Sequence, residues 1–566
     1  MNLFEKLKLV MSLIGHTITS KKYDVNYVPE KMSSERFISA LKAAKWIKDG
    51  STVISTGMAG HARCSIFYWA IAKQFLQAGH PKNLTWVAVS AQGGRGKTKG
   101  TLEELALPGL IDTCICGHLE TAKAFLEMGS KGLMELHTMP QGEIAFLLEA
   151  QAEGTCEIKS KTGIGTFLDP KYGGGTAVTP QAKHTFVKSE NQSLVYTLPA
   201  IDVALFSAPY ADKIGNIYFK NASTITESRE AAMAANKNGG RVIAAVCDII
   251  EYNPKEIGLP AEYVDGIVVN PLNEQAGGIR QRKFWPMFTE GAREDIDKAL
   301  VKTIFVSRLA GITPKRQPVD DALARMAAWL FSKHAKPGDL INLGIGLPEE
   351  VGRLLYTGGL YKDLTFSSES GPYGGLPTSG IFFGGAINPR VLKSSAWMFH
   401  HYKNNLDIAV LGILQVDSKG NVNVSRRGPK VTDYVGPGGF INISDAAKTV
   451  IFIGSWMAKA EFRLAGGQLS LDKPGIPKFV DTLHEVTFNA DKALKRGQNV
   501  FYVTTVGIFE LTRRGIALIA VMPGVEIEKD IIQNSQAKIV LPETGIVPLI
   551  PPQVVTGINF SLKWYS

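Results

Sequence analysis

The 566-residue chain carries only five cysteines: Cys64, Cys114, Cys116, Cys156 and Cys247. So sparse and odd a set excludes the disulfide framework of a secreted protein. Cys114 and Cys116 alternate around Ile115, so a strand would turn both to one side. With no second Cys or His pair at ligand spacing they do not make a zinc site, and no metal is expected. The cysteines read as small buried hydrophobes in a reduced compartment. Long apolar runs are missing too: none reaches the roughly 18 residues of a membrane-spanning helix. Blocks of like charge are also absent. The 62 Lys+Arg and 52 Asp+Glu leave a net charge of +10, but the charges are scattered, which excludes nucleic acid as a partner. A phosphate-bearing small molecule needs only a few local cations and suits that balance. No arginine precedes Arg36, which argues against a transit peptide. The apolar run at the N-terminus is too short and broken for a signal peptide. That segment is expected to be an amphipathic docking helix of a cytoplasmic protein.

What is present is the composition of a folded chain. Hydrophobic residues make up 45% and charged residues 20%, which excludes disorder. The length suits two large α/β domains or three to four smaller ones. Short β-rich runs alternate with helical patterns. Strands are expected at 51–55, 83–89, 203–207, 241–246, 339–343, 364–367 and 449–453, and helices at 34–48, 65–78 and 320–334. Such alternation implies α/β units with mostly parallel sheets.

The chain also repeats itself. Ile201-Asp202-Val203-Ala204-Leu205 resembles Leu406-Asp407-Ile408-Ala409-Val410, and Asp212-Lys213-Ile214-Gly215-Asn216 resembles Asp417-Ser418-Lys419-Gly420-Asn421 at the same offset of 205. Asn83–Trp86 matches Asp363–Phe366, and Lys48–Gly60 matches Lys336–Pro348 with a one-residue slip. Four matches in one order imply two related α/β domains. The expected limits are an N-terminal extension over 1–30, a first domain over 31–280, a linker over 281–318, a second domain over 319–535 and a tail over 536–566. The tail should pack on the second domain or on a neighbouring subunit.

The halves differ at one informative place. Where the first has Trp86-Val87-Ala88-Val89, the second has Phe366-Ser367-Ser368-Glu369, followed by Ser370-Gly371-Pro372-Tyr373-Gly374-Gly375. Ligands of open α/β sheets bind outside the carboxyl ends of strands. A carboxylate there, among residues that permit close approach, can serve as nucleophile, base or ligand, although an arbitrary Glu at a strand end is usually solvated. Two more Gly-rich turns, around Gly344–Gly346 and Gly436–Gly439, join it to make three loops able to line one crevice with backbone N–H groups. A decoy lies in the first half. The string Ala91–Thr98, ending Gly96-Lys97-Thr98, fits a permissive phosphate-loop pattern, but Gly100 weakens the helix start such a loop requires. Arg95 and Lys97 remain candidates to touch phosphate.

These residues resemble the family I coenzyme A transferases of the fused, single-chain type, similar to the short-chain acyl-CoA:acetate or propionate enzymes. The most specific strings are Glu369-Ser370-Gly371-Pro372-Tyr373-Gly374-Gly375 and Asn342-Leu343-Gly344-Ile345-Gly346-Leu347-Pro348. Pro140-Gln141-Gly142, Gly163–Pro170, Gly438-Gly439-Phe440-Ile441 and Pro523–Ile531 support them. The resemblance spans about residues 51–535. It implies two tandem α/β domains, Glu369 as the catalytic carboxylate, and Gln141 as a donor to the thioester side. It also implies acyl and coenzyme A contacts from Gly344, Gly346, Gly371, Gly374, Gly375, Gly436, Gly438 and Gly439. The implied reaction moves coenzyme A between short-chain acids by a ping-pong route through a glutamyl-CoA thioester. Its partners would be an acyl-CoA and a small carboxylic acid. It needs no permanently bound cofactor, and the assembly expected is a homo-oligomer.

Some residues depart from the family pattern. Phe399–Asp407 replaces a Gly-rich turn, Asn442 stands where relatives often have Asp, and Ser367-Ser368 is more polar than usual. His400 and His401 offer contacts to a substrate carboxylate, or else one is packed and one exposed. Acyl specificity is therefore open. So is the choice between transfer, hydrolysis through the same Glu369, and acyl transfer to a carrier-protein thiol. A phosphate-loop nucleotide-binding protein is the alternative of a different class.

Overall fold

The computed structural model describes residues 3–19, 23–30, 34–96, 99–312 and 315–565. Its first half is built on a parallel sheet of β1 (Thr52–Ser55), β2 (Leu84–Ala88), β3 (Ile111–Cys116), β4 (Glu135–Thr138), β5 (Val203–Asp212), β6 (Arg241–Ile250) and β7 (Gly266–Val269). The spatial order is β7-β6-β5-β1-β2-β3-β4. The second half uses β8 (Leu340–Leu343), β9 (Thr365–Ser367), β10 (Ile408–Gly412), β11 (Thr449–Ile453) and β12 (Asn499–Thr504), with β13 (Gly507–Thr512) and β14 (Gly515–Val521) added antiparallel. Its order runs β9-β8-β10-β11-β12-β13-β14. The shared part, β2-β1-β5-β6-β7 against β9-β8-β10-β11-β12, is the same topology twice. Central strands such as β1 and β11 are buried at every position, as parallel strands covered by helices on both faces must be.

The duplication reaches single hydrogen bonds. The Asp212 carboxylate accepts from the backbone N–H groups of Ile214, Gly215 and Asn216 and from Asn216 Nδ2. The Asp417 carboxylate accepts from Lys419 N, Asn421 N and Asn421 Nδ2. Asn216 Oδ1 then receives Ala261 N, and Asn421 Oδ1 receives Ala490 N, each at 2.9 Å. An Asp that closes its own turn this way explains why Asp, Gly and Asn recur at the offset of 205.

Expected elements differ from the structure in places. The helix expected over 34–48 is only Ala40–Trp46. Ser39 caps it by accepting from Lys42 N, and Phe37 is already bridged in parallel to Ile267, so the preceding residues belong to the sheet edge. Cys156 is exposed rather than packed, while the other four cysteines are buried and all five are free. The segment 281–318 is no slack tether. Its helix α5 (Ile296–Leu309) and the residues Trp285, Met287 and Phe288 share a small core with Leu376, Phe382 and Ile387 of the second half. The N-terminal helix Leu3–Thr19 docks Leu9 and Leu13 on that same core. The tail packs on the second half, where Ile550, Val554, Val555 and Leu562 join the main core and Arg325 donates to the carbonyls of Val554 and Val555. Among the described residues, no helix is long and apolar enough to cross a membrane.

Candidate active site

Glu369 follows β9 at the carboxyl end of the second sheet, and only 8% of it is accessible. Asn342, in the neighbouring strand β8, donates Nδ2 to Glu369 Oε2 at 3.3 Å and to Tyr402 Oη at 3.3 Å. Tyr402 donates onward to Ser367 Oγ at 3.1 Å, which itself donates to Ile341 O. Burial holds the Glu369 carboxyl above the usual carboxylate range. Hydrogen bonds from its own backbone, Asn342 and Ser368 offset part of that rise by favouring the ionised form. A dry, oriented carboxylate with little hydrogen bonding is a stronger nucleophile than a solvated one.

The loop around it is locked. Gly371 has φ +128°, and a Cβ there would sit 2.2 Å from Lys393 O, so neither the conformation nor the space admits another residue. Gly374 and Gly375 turn their open sides onto Arg390 and the Ile387 carbonyl. These three glycines thus pack against the protein itself. The turn 344–346 lies beside the Glu369 loop: the flanking Leu343 and Glu349 share with Ser367, Ser368, Thr378, Gly384 and Gly385 a small cavity. Gly344 donates to Val410 O, while Gly346, at φ +93°, has open space on its Cβ side.

The first half closes the site. Gln141 begins the helix α3 (Gln141–Glu153) directly after β4, its side chain is buried, and Nε2 donates to Ser90 Oγ at 3.0 Å. Its Oε1 is buried without a hydrogen-bond partner. Ser90 lies just beyond β2, at the place that mirrors Ser370. The turn 436–439 reaches across from the second half: Gly438 N donates to Gly117 O at 2.8 Å, and Gln141 N donates to Gly438 O at 3.0 Å. Gly436 N donates to Ser425 O. With Gly344 N, Gly371 N and Gly374 N, which donate to Val410 O, Ser368 O and Phe366 O, five of the eight glycine N–H groups expected to face a ligand are bonded within the protein. Gly439 lies against the Gln141 side chain and Phe399. Gln141, Gly436, Gly438 and Gly439 form one interlocked patch between the halves.

Two further residues of this interface, Thr226 and Glu227, were not singled out from the sequence. Thr226, at φ +54°, donates its N–H to Ser370 O and accepts from Ser395 N. A β-branched residue held at positive φ is strained backbone, here pressed on the Glu369 loop. Beside it Glu227 is fully buried with Oε1 unpartnered; burial, reinforced by Glu230, pushes its carboxyl up to about 8. Asn442 donates Nδ2 to the buried Glu143 at 3.0 Å and accepts from Gly142 N at 3.1 Å. His400 pairs with Glu149 at 2.7 Å and lies on Phe146, while His401 stacks on Trp397, so both rings are engaged by side chains of the chain itself. Neither Thr226 nor Glu227 leaves a trace in the sequence pattern: nothing marks the strain at Thr226, and Glu227 sits in a polar run that looks like ordinary surface.

The phosphate-loop pattern does not build a phosphate loop. Gly94 N and Gly96 N donate to Glu103 Oε2 at 3.0 and 2.8 Å, so a carboxylate of the chain occupies those amides, and a 3-10 turn, Leu102–Leu105, follows instead of an α-helix. Arg95 pairs with Glu120. Lys97 and Thr98 lie outside the described residues.

Comparison with known proteins agrees with this architecture. Residues 37–270 match the family model described as coenzyme A transferase. The chain is 34% identical over 519 residues to the caffeate CoA-transferase of Acetobacterium woodii, covering 88% of this chain and 94% of that protein. It is 30% identical over 529 residues to the acetate CoA-transferase YdiF of Escherichia coli, covering 91% and 93%. The crystal structure of the acyl-CoA transferase YdiF apoenzyme from E. coli O157:H7 superposes with TM-score 0.82 at 26% identity, over 95% of this chain and 99% of that one. The structure titled as its thioester complex with CoA gives 0.81 at 26% identity, over 93% and 97%. With relatives of this similarity matched along nearly their whole length, and with the same tandem fold, the chain belongs to the coenzyme A transferase family and is a CoA-transferase.

Proposed function

We propose that this enzyme moves coenzyme A between an acyl-CoA and a small carboxylic acid through a covalent glutamyl-CoA thioester on Glu369. The observation that carries this is the buried carboxylate at the end of β9, hydrogen-bonded by Asn342 and held in an interface that both halves complete. The solved thioester complex of the YdiF relative with CoA supports it.

In this reading Glu369 attacks the thioester carbonyl, giving an acyl–glutamyl anhydride and the coenzyme A thiolate. The thiolate attacks the glutamyl carbonyl, releases the first acid and leaves the glutamyl-CoA thioester. The second acid reverses both steps, so the thioester bond energy is retained and the kinetics are ping-pong. Each addition develops an oxyanion. In this reading Gln141 stabilises one, and in support its amide nitrogen carries a second hydrogen besides the one given to Ser90. The turns at 344–346 and 436–439 border the acyl and coenzyme A positions. The two CoA-transferase domains are 31–280 and 319–535, joined by 281–318. A homo-oligomer and a cytoplasmic location complete the reading. The acid is left to assay, since the relatives are named for caffeate and for acetate.

The test is intact mass and peptide mapping after mixing the protein with acetyl-CoA, propionyl-CoA and a phenylpropenoyl-CoA. A coenzyme A adduct on Glu369, reduced by borohydride and discharged by the free acid, is the expected result. Thioester consumption without an adduct or an acid requirement would replace transfer with hydrolysis.

A further inference from the structure

A second cluster of chemically competent side chains lies outside the interface just described. Glu135 and His137 stand two apart on the edge strand β4, so their side chains leave the same face of the sheet. His184 comes over them from the segment leading into the strand Val187–Glu190. Glu135 Oε1 lies 2.7 Å from His137 Nε2 and 3.1 Å from His184 Nδ1. The same oxygen also receives the backbone N–H groups of Lys183 and His184 at 3.0 and 2.8 Å. Four donors converge on one carboxylate oxygen, more than its lone pairs accommodate with good geometry. The two imidazoles need not be donors there. Each can instead present a lone pair, with a cation taking the place of the two ring protons.

We infer that Glu135, His137 and His184 form a binding site for a divalent transition metal of the zinc type, with two imidazole nitrogens, one carboxylate oxygen and a solvent-filled fourth position. The three ligand atoms lie within 4.8 Å of one another. Tetrahedral zinc, with bonds near 2.0–2.1 Å, separates its ligand atoms by about 3.3 Å, so the rings need only a small outward shift. His184 is exposed and free to make it, while His137 is buried and already aimed. Metal-bound histidines usually have the other ring nitrogen held by an oxygen that fixes the tautomer. Thr176 Oγ1 does this for His137 Nδ1 at 3.1 Å. Phe186 packs edge-on against the His137 ring at 4.6 Å and stacks with His184 at 6.0 Å, holding both imidazoles in register. The donor set of nitrogen and oxygen favours zinc, cobalt, nickel or copper over calcium or magnesium, which prefer all-oxygen sites. The cysteines take no part: Cys114 and Cys116, on the neighbouring strand β3, pair with Leu136 and Thr138 and so face the side of the sheet away from His137. On binding, each ring must present a lone pair in place of the N–H it shares with Glu135. A neutral ring does so by carrying its proton on the other nitrogen, with no net release, and only a doubly protonated ring gives a proton to solvent.

The test uses the full-length, untagged chain stripped with chelator and titrated with Co²⁺, then with Zn²⁺ as competitor. One cobalt per chain, with visible d–d absorption that zinc abolishes, is the expected result. His184→Ala, a surface change that leaves the core intact, should weaken binding at least ten-fold, and Glu135→Gln should weaken it as well. Thermal melting should rise with zinc for the natural chain and not for His184→Ala. Absence of a one-to-one cobalt complex, or the same affinity in His184→Ala, would overturn the inference and leave the triad as a hydrogen-bonded clasp between β4 and residues 183–184.

Discussion

At the scale of single residues, two side chains separate chemistry from support. Glu369→Ala should lower CoA transfer by about 10⁴-fold or more and eliminate the adduct, because the proposed covalent route has no other nucleophile. Gln141→Ala should cost about 10²–10³ in kcat, the usual loss of one oxyanion donor, measured by steady-state transfer with acetate as acceptor. Asn342 donates to Glu369 and therefore favours the ionised form. In the proposed route Glu369 must be ionised to attack, so the acid limb of the kcat/KM profile should lie above the ordinary carboxylate range. Asn342→Ala should move that limb further up in pH, and an unmoved profile would mean that some other group titrates. Asn442 is a departure from the family that the structure explains. It donates to Glu143, a buried carboxyl that burial holds high, while accepting from Gly142 N. Asn442→Asp removes the donor and sets two carboxyls face to face. The melting temperature should drop, and the drop should deepen as pH rises and both groups lose their protons.

At the scale of elements, the loop that carries Glu369 is shaped by backbone rather than by side chains. Gly371→Ala combines an unfavourable φ with a Cβ 2.2 Å from Lys393 O. It should destabilise the fold by about 1–3 kcal/mol in urea unfolding and reduce transfer even where the protein remains folded. The strand ends were legible in the sequence because fully apolar β-branched runs, such as Thr449–Ile453, have few other fates in an α/β protein. The first helix was misjudged because its apolar pattern continues into residues that pair with β7 instead. A helical period does not reveal that a neighbouring strand edge is vacant. The phosphate-loop string misled for the same kind of reason: its glycines do bend a backbone around an anion, but the anion is Glu103.

At the scale of the whole molecule, buried acids couple stability to pH. Glu227 is pushed up to about 8 and Glu349 up to about 7, both chiefly by burial. These folded values exceed the unfolded one near 4.5, so the native state retains protons that the unfolded chain has released. Their stabilising contribution is fully present below the unfolded pKa and is lost as pH rises through the folded values, between about pH 4.5 and 8. Melting temperature should fall across that window, and Glu227→Gln should flatten the fall. Equal slopes in both proteins would assign the pH dependence to other groups.

The sequence by itself determined the α/β class, the duplication and the position of Glu369 at a strand end. Each rests on local periodicity or on a short string whose turn chemistry is self-contained, as the Asp212 and Asp417 turns show. Tertiary structure decided what those strings meet. It placed Gln141 against Gly438 across a sequence separation of 297 residues, folded the tail onto the second half, strained Thr226 against Ser370, and gathered Glu135, His137 and His184. Such meetings depend on which surfaces are buried together when the two sheets pack, and no local pattern of residues encodes that.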